Sequence, residues 1–274
     1  MRETMLTWEP IHPNHAVERL RFEILFSEPL PRKIIEAVGA VFDAKRSDLR
    51  FDPREERQVQ HFFVGPNPGI MPQEPMIQNG WQSIRKSAAN IPLEAVTFDS
   101  SNIVYESTDY RGWQKAFVRF ESVCSDMLKA AGEAVNARAI VHDYVDRFVY
   151  DGPAGEAVPT EIVRKEFLPQ FPKTILMGEE LWHSHRGWFE YFDGEKFLIN
   201  QNLDAQQGQT IEGRDARSIQ VYTKLQLHAA NGGLELSLLD TKFQHMHKRC
   251  NELVAAVVTK ETAIRIGLGG KSNV

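Results

Sequence analysis

Arg217-Ser218-Ile219-Gln220-Val221-Tyr222-Thr223-Lys224-Leu225-Gln226-Leu227-His228-Ala229 alternates along its length. Ile219, Val221, Thr223, Leu225 and Leu227 fall on one side, and Gln220, Tyr222, Lys224, Gln226 and His228 on the other. That period of two is the mark of a strand with one face in a core and the other polar. One-sided strands joined by short connections make an antiparallel sheet, with helices covering the apolar face. Asn231-Gly232-Gly233 marks a turn after the strand. A helix over 240–259 follows, carrying Phe243, Met246, Cys250, Val254 and Val257 at helical spacing.

Working outward, the same signals recur. Over 15–27, Leu20, Phe22, Ile24 and Phe26 oppose Arg19, Arg21 and Glu23, a half-buried strand. Pro29 and Pro31 end it, and Pro31 opens a helix with Ile34, Ile35, Val38, Val41 and Phe42. Strands are expected over 59–64, 81–87, 96–99 and 102–107. Four prolines make residues 65–75 a loop, because proline cannot donate to a ladder. A helix over 112–131 carries Trp113, Phe117, Phe120, Cys124, Leu128 and Ala131. The second half runs strand 138–150, a short helix from Pro159 through Ile162 and Val163 to Phe167, then strands 181–192, 196–203 and 217–229. Adding 126 to Phe117, Phe120, Cys124 and Leu128 gives Phe243, Met246, Cys250 and Val254, and the same offset carries Arg21-Phe22 to Arg147-Phe148. An internal duplication follows from that agreement. The expected fold is α+β: two tandem helix-grip-like repeats, each strand-helix-strands-helix, with antiparallel sheets and helices on one face. The repeats span 14–133 and 137–262, and a disordered tail is expected over 263–274.

The chain has 274 residues, of which 42% are hydrophobic and 25% charged, enough apolar material for a core and too much for a disordered chain. With 32 Lys+Arg against 37 Asp+Glu the formal net charge is −5, so the whole-chain field repels polyanions and nucleic acid is not the default partner. No apolar run reaches membrane-span length and the first residues lack a signal-peptide block, so a cytoplasmic location and no membrane partner are expected. Cys124 and Cys250 read as reduced core residues.

Asn14-His15-Ala16-Val17-Glu18 leading into the first strand, the Tyr110/Trp113/Phe117/Phe120 pattern, the strand 141–150 and the helix from Phe243 together resemble an uncharacterised, sporadically distributed family of bacterial proteins of about this length. The resemblance covers nearly the whole chain on apolar, structural motifs. It implies no established activity and no catalytic residues. The patchy distribution of that family implies an accessory setting such as a defence or toxin–antitoxin locus.

Few residues carry candidate chemistry. His183 and His185 lie two apart on a strand and so share a face, the geometry in which two imidazoles could share a zinc ion. No other cofactor is expected. His245 and His247 also lie two apart, but on a helix, where they diverge and cannot chelate together. On the strand from Ile140, His142, Tyr144 and Asp146 share one face and form either a structural network or the lining of a polar cavity. Trp182, Arg186 and Trp188 share the parity opposite to His183, an aromatic and cationic face suited to stacking. Gly267-Leu268-Gly269-Gly270-Lys271-Ser272 lacks the first glycine and the helix of a phosphate loop. Common local enzyme signatures are absent from the chain and no catalytic residue is assigned.

The expected function is binding or interaction without catalysis: the polar sheet face and the loop over 65–79 would meet a protein partner or a small ligand. Two alternatives stay open. One is a metal-dependent hydrolase using His183 and His185. The other is nucleic-acid binding on the sheet through Arg19, Arg21, Arg147 and Lys224.

Overall fold

The computed structural model describes residues 8–61, 76–132, 136–167, 181–192, 195–209, 213–229, 234 and 236–268. The proline-rich loop over 65–75, the Asn231-Gly232-Gly233 turn and tail residues 269–274 lie outside that set. Among the described residues there are ten strands, and every pairing with a resolved register is antiparallel. No helix among them is long and apolar enough to cross a membrane.

The chain divides into two compact units, each discontinuous in sequence. One comprises 21–141 and 228–238, the other 1–20, 142–227 and 239–274. Strands β2 (Val17–Phe26) and β7 (Ala137–Tyr150) each give part of their length to each unit.

In the first unit, α1 (Arg32–Lys45) is followed by the meander β3 (Glu55–His61), β4 (Met76–Lys86), β5 (Pro92–Asp99) and β6 (Asn102–Ser107), with the C-terminal part of β2 beside β6. Helix α2 (Trp113–Ala131) presents Phe117 and Phe120 to Phe22, whose ring stacks on Phe120 at 4.5 Å. Aromatic burial of this kind dominates core energetics. Trp81 pairs across the ladder with Phe98, and Phe42 of α1 packs on it at 4.9 Å. Gly80 is needed where it stands, opposite Asp99: a Cβ there would come within 2.5 Å of the Asp99 Cβ. A buried ion cluster also lies in this unit. Glu94 accepts from Arg85 Nε at 2.8 Å and Arg119 Nη2 at 2.7 Å. Burial pushes the Glu94 carboxyl up, but the two guanidiniums outweigh it and hold the pKa below its ordinary value.

In the second unit the order is β7, β10 (Asp215–His228), β9 (Glu195–Gln209), β8 (Trp182–Phe192), and the short β1 (Trp8–Pro10) also pairs with β7. Helix α3 (Leu239–Val257) covers one side of this sheet with Phe243, Met246, Cys250 and Val254 buried. The alternation read in β10 holds: Ile219, Val221, Thr223 and Leu225 are fully buried, while Gln220, Tyr222, Lys224 and Gln226 are half-buried. The last helix, α4 (Lys260–Arg265), occupies a segment expected partly as tail, and its Ala263 and the following Ile266 are buried in the core.

The expected fold of two helix-grip-like strand-helix-strands-helix repeats is corrected here. Antiparallel sheet is the main component, and residues 159–167, where a helix corresponding to α1 was expected, do not form one. From Ala154 to Phe167 the chain instead makes three short 3-10 turns. The reason is where its hydrogen bonds go. Arg164 N–H donates to Val257 O at 2.9 Å, and the Arg164 guanidinium donates to Val258 O and Ala255 O, at 2.7 and 3.0 Å. Val163 bridges Val258. Backbone groups that a helix would satisfy locally are satisfied by the end of α3 instead.

This junction supports one stability prediction. Thr259 caps α4: its Oγ1 accepts from Thr262 N–H at 3.3 Å, while its own N–H donates to Ile162 O at 2.6 Å. Thr259→Ala is expected to cost about 1 kcal/mol, the usual size of a lost N-cap. Urea denaturation would show it as a lower midpoint at unchanged slope, with Thr259→Ser close to the wild type.

Candidate functional site

Register across β8, β9 and β10 decides which side chains meet in the second unit. His183 lies opposite Asp204, His185 opposite Asn202 and Gly187 opposite Asn200. Asp204, Asn202 and Asn200 lie in turn opposite Gln220, Tyr222 and Lys224. Three strands of period-two alternation therefore build one outward face. It is made of imidazole, amide, carboxylate, phenol and ammonium groups, ending at β8 in Phe189 and Tyr191, which are 62% and 73% exposed. Lys196 of β9 places its ammonium 4.5 Å from the Phe189 ring centroid, a cation–π contact. At the other margin Gln220 donates to Glu18 at 3.2 Å, and Arg147 forms an ion pair with Glu18 at 2.6 Å.

His183 and His185 both stand exposed on this face, with their rings 6.4 Å apart and 16° from parallel. The His183 Nδ1 meets the Asp204 carboxylate, and the His185 Nδ1 meets Asn202 Oδ1 at 2.5 Å. Both partners are acceptor oxygens, so in the neutral form of each ring the proton belongs on Nδ1 and the lone pair on Nε2. Ser184, between them, belongs to the opposite face, so no hydroxyl nucleophile adjoins the pair on this strand. Among the described residues no three metal-capable side chains come together.

Trp182, Arg186 and Trp188 project to the side that α3 covers. Trp182 is 7% exposed. Arg186 donates to Phe167 O at 3.0 Å and lies over the Phe167 ring. Trp188 Nε1 donates to Glu190 Oε2 at 3.3 Å, and Glu190 is held by Arg249 of α3. Internal contacts occupy these three side chains.

His142, Tyr144 and Asp146 also face α3 and are buried. The His142 and Tyr144 rings meet edge to face at 4.7 Å. Tyr144 Oη and His247 Nδ1 are 2.9 Å apart, and Asn251 Nδ2 lies 3.1 Å from His247 Nε2. The amide donates to Nε2, which leaves the proton on Nδ1 to bond the tyrosine oxygen. Burial lowers the His247 pKa to about 4 and raises that of Asp146 to about 7. The Cys250 thiol beside them is pushed well up, first by burial and then by Asp143 and Asp146. His142 is fully buried, and the contacts described above join these side chains to one another and to α3.

Several residues of the outward face escape a reading by motif: Asn200, Asn202, Asp204, Tyr222, Phe189 and Tyr191. The alternation of β9 was available as a signal, but the register that sets Asp204 beside His183 was not. The nominated loop over 65–79 lies largely outside the described residues. No protein-family profile and no curated protein matches the chain.

Proposed function

We propose that the protein is a binding protein that holds a protein partner on the outward face of β8, β9 and β10. The observation carrying this reading is the pair of exposed aromatics, Phe189 and Tyr191, continuous with rows of amide and imidazole side chains on one side of the sheet. Aromatic anchors beside adaptable polar groups are the chemistry of protein recognition surfaces. Small molecules favour concave sites. Two cavities lined by described residues lie elsewhere. One of about 230 Å³ is lined by Trp8, Phe148 and Arg265, and one of about 430 Å³ surrounds Arg54 and Trp81.

The test is affinity capture from the native host, comparing the wild-type chain with a Phe189→Ala/Tyr191→Ala variant. A protein retained by the wild type should bind the variant on the order of 100-fold more weakly, as expected when anchor residues are truncated. Both side chains are exposed, so the stability of the variant should stay within about 0.5 kcal/mol of the wild type. A partner that binds both chains equally would remove this face from the interaction.

A further inference from the structure

We propose that His183 and His185 form an open two-imidazole site for a divalent transition-metal ion. Imidazole nitrogen suits zinc and copper. A metal-binding histidine commonly donates its other ring N–H to a carboxylate or a carbonyl, which fixes the tautomer and aims the lone pair. Both histidines have that arrangement, through Asp204 for one and the Asn202 amide oxygen for the other. These supports come from β9, at positions directly across the ladder, so the sheet itself sets both tautomers. Among the described residues no hydrogen bond engages either Nε2. The His183 side chain is 62% exposed, and β8 is the last strand of its sheet, so an ion can approach.

Geometry sets what must move. Two nitrogens bound at the usual zinc distance stand about 3.3 Å apart, closer than two rings with centroids at 6.4 Å. The rings are nearly parallel and on one side, and a tilt of each about its side-chain torsions, pivoting on the Nδ1 bonds, converges the two Nε2 atoms. With only two protein ligands the remaining positions hold water in the isolated chain. The chain therefore binds the ion in an open, exchangeable way, unlike a closed structural zinc site.

The experiment uses the full chain without an affinity tag, stripped of metal and titrated separately with Zn²⁺ and Cu²⁺ against a chromophoric chelator. The wild type should take up one ion per chain at this site. His183→Gln/His185→Gln should abolish that uptake while keeping the wild-type circular dichroism, since both residues are exposed. Asp204→Asn should weaken binding by 10-fold or more, the usual cost of losing an orienting carboxylate. The rings of His12 and His15 lie 4.6 Å apart elsewhere in the unit, so His12→Gln serves as the control and should leave the uptake intact. No uptake by the wild type, wild-type uptake by the double variant, or loss of uptake in the control overturns the site. An Asp204→Asn chain that binds as tightly as the wild type overturns the orienting role. None of these readouts involves a partner protein, so failure here and failure of the proposed interaction are separable.

Discussion

Replacing Asp146 with Asn is expected to stabilise the protein at pH 8 and leave it little changed at pH 4. Asp146 is 5% exposed on the face of β7 that meets α3. Its neighbours on that face are His142, Tyr144 and Phe148, and from α3 the Cys250 thiol interacts with both Asp146 and Asp143. Among the described residues no hydrogen bond or ion pair reaches Asp146. Burial alone raises its pKa from 3.8 to about 7. The folded state thus holds a proton that the unfolded chain has released, and stability falls as pH rises from about 4 to about 7. Above pH 7 the buried carboxylate costs on the order of 4 kcal/mol. The amide of Asp146→Asn has nearly the same shape and no charge to bury. Urea denaturation at pH 4, 6 and 8 should show a gap between variant and wild type that widens with pH. A constant gap would mean that Asp146 does not titrate in this window.

His247 should show the opposite slope. Burial lowers its pKa from 6.5 to about 4, so between these values the unfolded chain binds a proton that the folded chain excludes. Stability contributed by neutral His247 is complete above about pH 6.5 and is lost as pH falls toward 4, by on the order of 3 kcal/mol. The arrangement on Tyr144 and Asn251 needs the neutral ring, with one nitrogen bonding the phenol oxygen and the other accepting from the amide. His247→Gln loses packing and costs stability at every pH, so the diagnostic readout is the slope. In that variant the Asp146 contribution is no longer offset by His247, so between pH 4 and 6.5 stability should change more in the falling direction with rising pH than it does in the wild type. An unchanged slope would show that His247 is not excluded from protonation in the fold.

Together the two groups make a compensated pair. Over pH 4 to 6.5 Asp146 destabilises with rising pH while His247 stabilises, so the wild-type profile should be flatter than that of either variant. The double variant should lose both contributions, leaving the profile to other shifted groups such as Glu94 and His12. Residues one helix turn from each other's strand neighbours couple, so additivity is tested by these slopes and not by the absolute stabilities.

Most strands and the long helices are legible in the chain because their signals are local. Alternation in 217–229 is a property of adjacent residues, as is the stripe of Phe243, Met246, Cys250 and Val254, and both elements form where those patterns lie. The polar face of β10 was legible for the same reason. Everything that depends on which segments pair was decided by tertiary structure. The helix expected from Pro159 to Phe167 does not form because Arg164 and Val163 find their partners at the end of α3, about a hundred residues away in sequence. Spacing puts His245 and His247 on diverging directions of a helix, but it cannot say that His247 lands on Tyr144. Parity put His183 and His185 on one face and Trp182, Arg186 and Trp188 on the other, yet only the packing of α3 determines which of the two faces inward. Sequence period assigns side chains to faces, whereas register and long-range hydrogen bonds choose their neighbours. It is therefore the ladder of β8 on β9 that sets an acceptor oxygen behind each exposed imidazole.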